Sequence, residues 1–212
     1  METKTRIERI RSASSQRREK EKQELHSAIL NSAAHLFLEK GYDGFSMRQV
    51  AEQIGYSATT IYLYFEDKDD LLFSVVDQAY ERFSHDLETA FESTPDPIQR
   101  IYKLGRAYVD FGLQNPVAYQ LIFMQRPDFL TRWSTGSRKT RPLALSIFQQ
   151  AVNKAAEAGA IHTSDVESQA DALWASVHGL VALSISMPMF NSERIAKAVN
   201  EALDILVTGI RS

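Results

Sequence analysis

The stretch FSMRQVAEQIGYSATTIYLYFEDKDDLL, Phe45 to Leu72, decides the fold. Ser46 precedes a helical pattern and Gln49 stands three residues on. A hydroxyl and an amide so spaced can satisfy two free backbone N–H groups reciprocally. Met47, Val50, Ala51 and Ile54 follow at helical spacing and give one face to bury. Gly55 comes next, able to end the helix in the left-handed conformation without a Cβ penalty. Ser57 opens a second helix, expected to reach Tyr64, with Ile61 and Phe65 turned inward. Ala58, Thr59, Thr60, Tyr62 and Tyr64 are left for other faces. Most are small or hydroxylated and none is charged, which suits base edges, thymine methyls and phosphates. Two helices joined by so short a turn form the unit whose second helix enters a DNA major groove. Asp67 caps a third helix, with Asp70 at its third position. Lys68 in the first turn adds a cation to a helix N-terminus, a good phosphate clamp. The plainer alternative is an amphipathic helical hairpin with ordinary surface Thr and Tyr.

Residues 23–72 resemble the N-terminal domain of TetR-family transcriptional regulators. The resemblance rests on the Ala28–Phe37 face, Gly41-Tyr42-Asp43-Gly44-Phe45-Ser46, Val50-Ala51, Ile54-Gly55, Thr60 to Phe65, Lys68 and Leu71-Leu72. It implies that Arg48 reaches a base or a phosphate, that Ala58, Thr59, Thr60 and Tyr62 face the groove, and that Ser46, Tyr64 and Lys68 hold the DNA backbone. Ser57, at the start of the reading helix, joins that set. Position 64 is often histidine in the family; Tyr64 keeps a hydrogen-bonding tip and loses any charge.

A chain of 212 residues with 44% hydrophobic content can bury one or two real cores. It has no cysteine, which excludes disulfides, thiolate zinc sites and thiol redox sensing. No apolar run approaches the roughly 18 residues of a membrane span. The polar N-terminus does not read as a secretory signal. A cytoplasmic protein without membrane contact is expected. The formal net charge of −3 is unevenly spread. Residues 1–22 hold eight Lys and Arg against four Glu, whereas residues 23–68 hold Lys40, Arg48 and Lys68 against six acids. A basic arm of this kind adds phosphate or minor-groove contacts, or is a disordered solubilising tail.

The rest is helical in pattern, so the fold class expected is all-α: an N-terminal three-helix helix-turn-helix domain and a C-terminal helical bundle. A first helix spans about Gln16 to Lys40 and stops at Gly41. A long one spans Lys68 to about Ser93. Thr94-Pro95-Asp96-Pro97 is the clearest boundary signal. Helices follow over Ile98–Asn115, from Pro116 to Phe123, and over Pro142–Ala158. Between the last two, Met124 to Arg141 reads as a loop. A Ser164/Glu167 capping box opens a helix to about Met187, and the last helix runs from Ser192 to Ile210. The domains expected are a flexible basic arm (1–20), the helix-turn-helix (21–68) and a ligand-binding and dimerisation domain (69–212).

The last two helices carry more apolar surface than one stripe needs. They read as one half of a four-helix dimer interface that includes Leu180, Leu183, Val199, Leu203 and Leu206, with a simple buried core as the alternative. Trp174 and His178 share a helix face, and Gly179 is adjacent. With Tyr119, Phe123, Arg126 and Pro127 they resemble a TetR subgroup described by the letters Trp-His-Gly, which implies a ligand-sensing domain. An effector pocket is expected among Tyr108, Phe111, Tyr119, Phe123, Met124, Trp133, Phe148, Trp174 and His178. Each ring taken singly is also an ordinary core residue.

The function expected is a homodimeric regulator that binds a palindromic double-stranded DNA operator. It is most simply a repressor released by a small hydrophobic or aromatic effector; activation is the family's other mode. No catalytic residue, metal site or cofactor is expected, because no phosphate loop, cysteine nucleophile or His–Glu metal spacing is present. The rivals are an architectural DNA-binding protein and a helical-bundle enzyme.

Overall fold

The computed structural model describes residues 6–124, 144–190 and 192–210. These residues are all-α, with no β-strand among them. The expected loop over residues 125–141, with Arg126, Pro127 and Trp133, lies outside the described residues. The chain divides into two compact units, Met1–Val76 and Asp77–Ser212.

The first unit begins with α1 (Arg6–Gly44), which leaves helical geometry at Gly41 with φ 71. The helix thus starts ten residues before Gln16, inside the stretch read as a flexible arm. No proline or glycine interrupts it there, and the pairs Arg17–Glu21 and Lys20–Glu24 support it at i, i+4. Its inner face buries Ile29, Ala33, Leu36 and Phe37. Then come α2 (Met47–Ile54) and α3 (Ala58–Tyr62). Ser46 Oγ accepts from Gln49 N, and Gly55 ends α2 in the left-handed region at φ 75. Ser57 caps α3 by accepting from Thr60 N. Ser32 Oγ donates to Gln53 Oε1 at 2.9 Å and ties α1 to α2. Val50, Ile61, Phe65, Leu71 and Leu72 close the core.

The helix α4 (Lys68–Glu92) opens with Asp67 accepting from Asp70 N at 2.8 Å. At its other end Arg100 donates to the carbonyls of Phe91 and Thr94, and Lys103 to that of Ser93. These carbonyls would otherwise lack partners at a helix end.

In the second unit α5 (Pro97–Gln114) contacts α6 (Pro116–Phe123), α7 (Ala144–Glu157), α8 (Val166–Ser186) and α9 (Ser192–Ile210). Asp96 caps α5 with Pro97 at its first turn. Close approach needs its glycines: a Cβ on Gly105 would sit 2.5 Å from Leu203 Cδ2, and one on Gly112 would run into the methyls of Val181. The cap of α8 is Asp165, not Ser164. A carboxylate accepts from both Glu167 N and Ser168 N and suits the positive end of the helix dipole better than a hydroxyl. On α9, Ile195, Val199, Leu203 and Val207 form the buried stripe. No described helix is long and apolar enough to cross a membrane.

Candidate functional site

Two constellations emerge, one in each unit. In the first, α3 offers an uncharged surface. Thr59 and Ser57 are exposed, and Tyr62 is 55% exposed although tyrosine commonly seeks burial. Ala58 and Thr60 are half-buried, and the hydroxyls of Ser57 and Thr60 lie 2.9 Å apart. The helix ends at Tyr62, two residues before the expected stop. Leu63 N bonds Thr60 O and Tyr64 N bonds Ile61 O in a tighter final turn. Tyr64 therefore lies beyond the helix, half-buried, with its ring 6.2 Å from that of His26 on α1. Tyr56 and Leu63 flank α3 and are 50% and 79% exposed, two apolar side chains that the sequence reading did not include. Their signal was available: each interrupts a polar face where burial does not explain it.

The charged members are already engaged. Arg48 Nε meets Glu52 Oε1 at 2.9 Å on an exposed surface, a pair worth little and easily exchanged. Lys68 Nζ lies 4.2 Å from the ring centre of Tyr42 and 4.7 Å from that of Phe45. Tyr42 Oη donates to Asp69 Oδ1 at 2.7 Å, which fixes the ring under the ammonium. Ser46 is exposed but occupied by its cap.

In the second unit most of the expected ligand set comes together. Tyr108, Phe111, Tyr119 and Phe148 are at most 2% exposed. Phe123, Trp174 and His178 are half-buried, and Met124 is 37% exposed at the end of α6. Trp133 lies outside the described residues. The ring missing from the expected set is Phe83 of α4, with centroids 5.2 Å from Tyr108, 4.8 Å from Phe111 and 5.3 Å from Phe123. Spacing along α4 marks Phe83 as inward; nothing local says which rings it meets.

At the centre sits a polar triad. The hydroxyls of Tyr108 and Tyr119 are 3.0 Å apart, and both bond His178 Nδ1. Burial pushes the Tyr108 phenol far up, and burial with Tyr108 alongside does the same to Tyr119. Burial lowers the pKa of His178. All three groups are therefore neutral near pH 7. One assignment satisfies the triad: Tyr108 donates to Tyr119, and Tyr119 to His178 Nδ1. The imidazole proton then resides on Nε2. No group of three or more metal-binding side chains occurs among the described residues.

The expected dimer residues separate. Val199 and Leu203 are 1% and 2% exposed, so they belong to this chain's own core. For Leu203 the reason is the glycine at 105, which lets α9 sink onto α5. Leu180, Leu183 and Leu206 remain half-exposed, and a Cβ on Gly179 would meet open space.

Comparison with known proteins follows the same division. Residues 29–75 match the bacterial regulatory proteins of the tetR family. Residues 101–209, more than half of the chain, match the tetracyclin repressor-like C-terminal domain. The chain is 27% identical over 100 residues to the HTH-type transcriptional activator FasR of Mycolicibacterium smegmatis, covering 47% of this chain and 46% of that protein. It is 30% identical over 86 residues to the HTH-type transcriptional regulator HbdR of Aromatoleum sp., covering 41% and 38%. The matched region spans less than half the length of these relatives. Among solved structures, the transcriptional regulator FadR of Bacillus subtilis in complex with stearoyl-CoA aligns with TM-score 0.69 at 19% identity, over 87% of this chain and 99% of that one. The fatty acid degradation regulator FadR of Bacillus halodurans aligns with TM-score 0.71 at 15% identity, over 86% and 94%. These likenesses establish a shared fold. With both halves matched, the chain belongs to the TetR family of bacterial transcriptional regulators.

Proposed function

We propose that this chain is a homodimeric, ligand-responsive regulator that binds a palindromic DNA operator and leaves it when a small hydrophobic or aromatic effector binds the second unit. The observation that carries this reading is the Tyr108–Tyr119–His178 triad inside a shell of rings. A polar cluster in an apolar enclosure orients a ligand and gives little to a core that rings alone would fill. The uncharged α3 surface with Tyr62 and Thr59 is the reading element, entering the major groove as in other helix-turn-helix proteins. Tyr108, Phe111, Tyr119 and Phe148 form the closed wall. The half-exposed Phe123, Met124, Trp174 and His178 form the side by which a ligand enters.

The effector acts only through a difference in affinity between a DNA-competent and a DNA-incompetent state. The helix α4 supplies Lys68 to one constellation and Phe83 to the other, so a displacement of Phe83 is felt along the helix that bears Lys68. Repression released by ligand is the simplest form of this coupling. FasR is named an activator, and its sign of control is the alternative. The FadR structure with stearoyl-CoA makes acyl-CoA compounds the first class to set beside planar aromatics in a screen.

The test is selection of bound duplexes from a random pool at near-physiological salt, followed by ligand challenge. An enriched palindrome, released by a compound of one of these classes, is the expected result. Absence of any enriched sequence overturns the reading in favour of a non-specific binder.

A further inference from the structure

The helix-turn-helix of this chain is poorly supplied with positive charge. Residues 23–68 hold three Lys and Arg against six carboxylates. Of the three, Arg48 is paired with Glu52 and Lys68 rests on two rings. Yet neutralised phosphates supply most of the affinity of proteins for DNA, each worth a slope of about −0.9 in log K against log salt. A reading head so poor in cations needs them from elsewhere in its own unit.

The N-terminal part of α1 meets that need. From Ser14 to Glu24 every residue is exposed, so no face of the helix is used for packing. Two cations on this stretch are internally paired: Arg17 with Glu21 and Lys20 with Glu24. Arg18 and Lys22 carry no ion pair among the described residues. They are one turn apart, and His26 continues the row one turn further on. At about 1.5 Å per residue the row is about 12 Å long. It ends against the reading head, where His26 lies 5.2 Å from the ring of Phe65 and 6.2 Å from that of Tyr64. Burial and then the charge of Lys22 lower the pKa of His26, which sets Lys22 electrostatically beside it.

We infer that Arg18, Lys22 and His26 form a track on α1 that follows the DNA phosphate backbone outward from Tyr64, and that this track lengthens the footprint beyond the base-reading helix. The inference rests on the DNA-binding reading above. The occupant is the phosphodiester backbone because Arg18 and Lys22 are cationic and solvent-facing and the row runs on to His26 beside Tyr64, where an imidazole N–H can donate to a phosphate. The contacts carry no sequence information, so the track raises affinity for operator and random duplex alike.

The experiment measures binding of the selected duplex and of a scrambled duplex by fluorescence anisotropy across a salt series. The proteins are the full chain, Arg18→Gln/Lys22→Gln, the charge-preserving Arg18→Lys/Lys22→Arg, and the off-track control Arg17→Gln/Lys20→Gln. The on-track neutral variant should lower the salt slope by about 1.8 per protomer, with both duplexes weakened by the same factor. The charge-preserving variant should keep the wild-type slope. An unchanged slope, or an equal fall in the control, overturns the track while leaving the helix-turn-helix reading intact. A full chain that prefers no duplex overturns that reading itself, and the track with it.

Discussion

The ring of Phe83 on α4 stands edge-on to that of Tyr108 on α5, with centroids 5.2 Å apart and planes at 79°. Such pairs add about 0.5–1.5 kcal/mol each beyond the area they bury. Phe83 makes four ring contacts, to Tyr80 of its own helix and to Tyr108, Phe111 and Phe123, and is fully buried. Phe83→Ala should therefore cost about 3–5 kcal/mol, read as a lower urea midpoint. A loss below about 1 kcal/mol would mean the cluster is loosely packed and Phe83 is not its hub.

The polar triad gives a comparison between two conservative changes. Tyr119→Phe removes the nearer of the two hydroxyls on His178 Nδ1 and leaves Tyr108, 3.1 Å away, to take its place. Tyr108→Phe leaves Tyr119 in place to serve the imidazole. The first should cost about 1–3 kcal/mol and the second less, because the first exchanges the shorter bond to Nδ1 for a longer one and the second keeps it. Equal losses in thermal unfolding would contradict the order of donation assigned here.

The two histidines with lowered pKa make stability depend on pH. A base whose folded pKa lies below its unfolded value of 6.5 binds fewer protons when folded. Stability is then full above the unfolded value, falls as pH drops through it, and levels off below the folded value. Tyr108, Tyr119, Phe123 and Trp174 face His178 and none titrates in that range. The thermal midpoint should decline from about pH 7 to about pH 5, and less steeply in His178→Gln. Parallel declines in the two proteins would exclude His178 as a source.

Two glycine-to-alanine changes should have opposite outcomes. At Gly112 the new methyl runs into Val181, and the cost should be about 1–3 kcal/mol, eased by Val181→Ala in the double variant. At Gly179 nothing stands within 4 Å, so alanine should stabilise an isolated chain by about 0.5–1 kcal/mol. If a second copy packs closely on this face of α8, the same change weakens the dimer instead. Sedimentation of Gly179→Ala against wild type distinguishes the cases; a more stable and equally dimeric variant would remove Gly179 from the interface.

Tyr62→Ala tests the reading helix. Its side chain supports little of the core at 55% exposure, so folding and oligomeric state should persist while binding to the selected duplex falls at least tenfold, about 1.4 kcal/mol or more. Undiminished operator binding by a folded variant would displace Tyr62 from the groove.

What could be read in advance was what short-range chemistry determines. Ser46, Gly55 and Ser57 are complete signals within a few residues and each caps or ends its helix as expected, but the Gln49 amide oxygen accepts from Ser46 Oγ and not from the Ser46 backbone, so the box is not reciprocal. The Asp165 cap was misplaced by one residue because Ser and Asp are adjacent and both cap well; the carboxylate wins by accepting two N–H groups. Val199 and Leu203 failed for a different reason. An apolar stripe states that a face is covered but not by what, and only the room made by Gly105 assigns it to α5. Phe83 shows the same limit, since its partners outside α4 lie over twenty residues away. The aromatic set around Tyr108 and His178 was legible because ring-rich segments have few other uses, even though their mutual geometry was not.

The donor chain from Tyr108 through Tyr119 to His178 has a direction, and direction is a form of selectivity. With the proton on Nε2, the imidazole greets a ligand as a donor. To receive a ligand's own N–H or O–H it must adopt the other tautomer, and then every hydroxyl behind it must turn round. The reversed order turns the Tyr119 hydroxyl onto Tyr108 and leaves the Tyr108 hydroxyl hydrogen without an acceptor in an apolar wall. A stranded buried donor costs about 1–3 kcal/mol. The cage should thus discriminate by roughly five- to 150-fold between compounds of the same shape that present a carbonyl and those that present an amine at this point. Three side chains would judge the polarity of a molecule that touches only one of them.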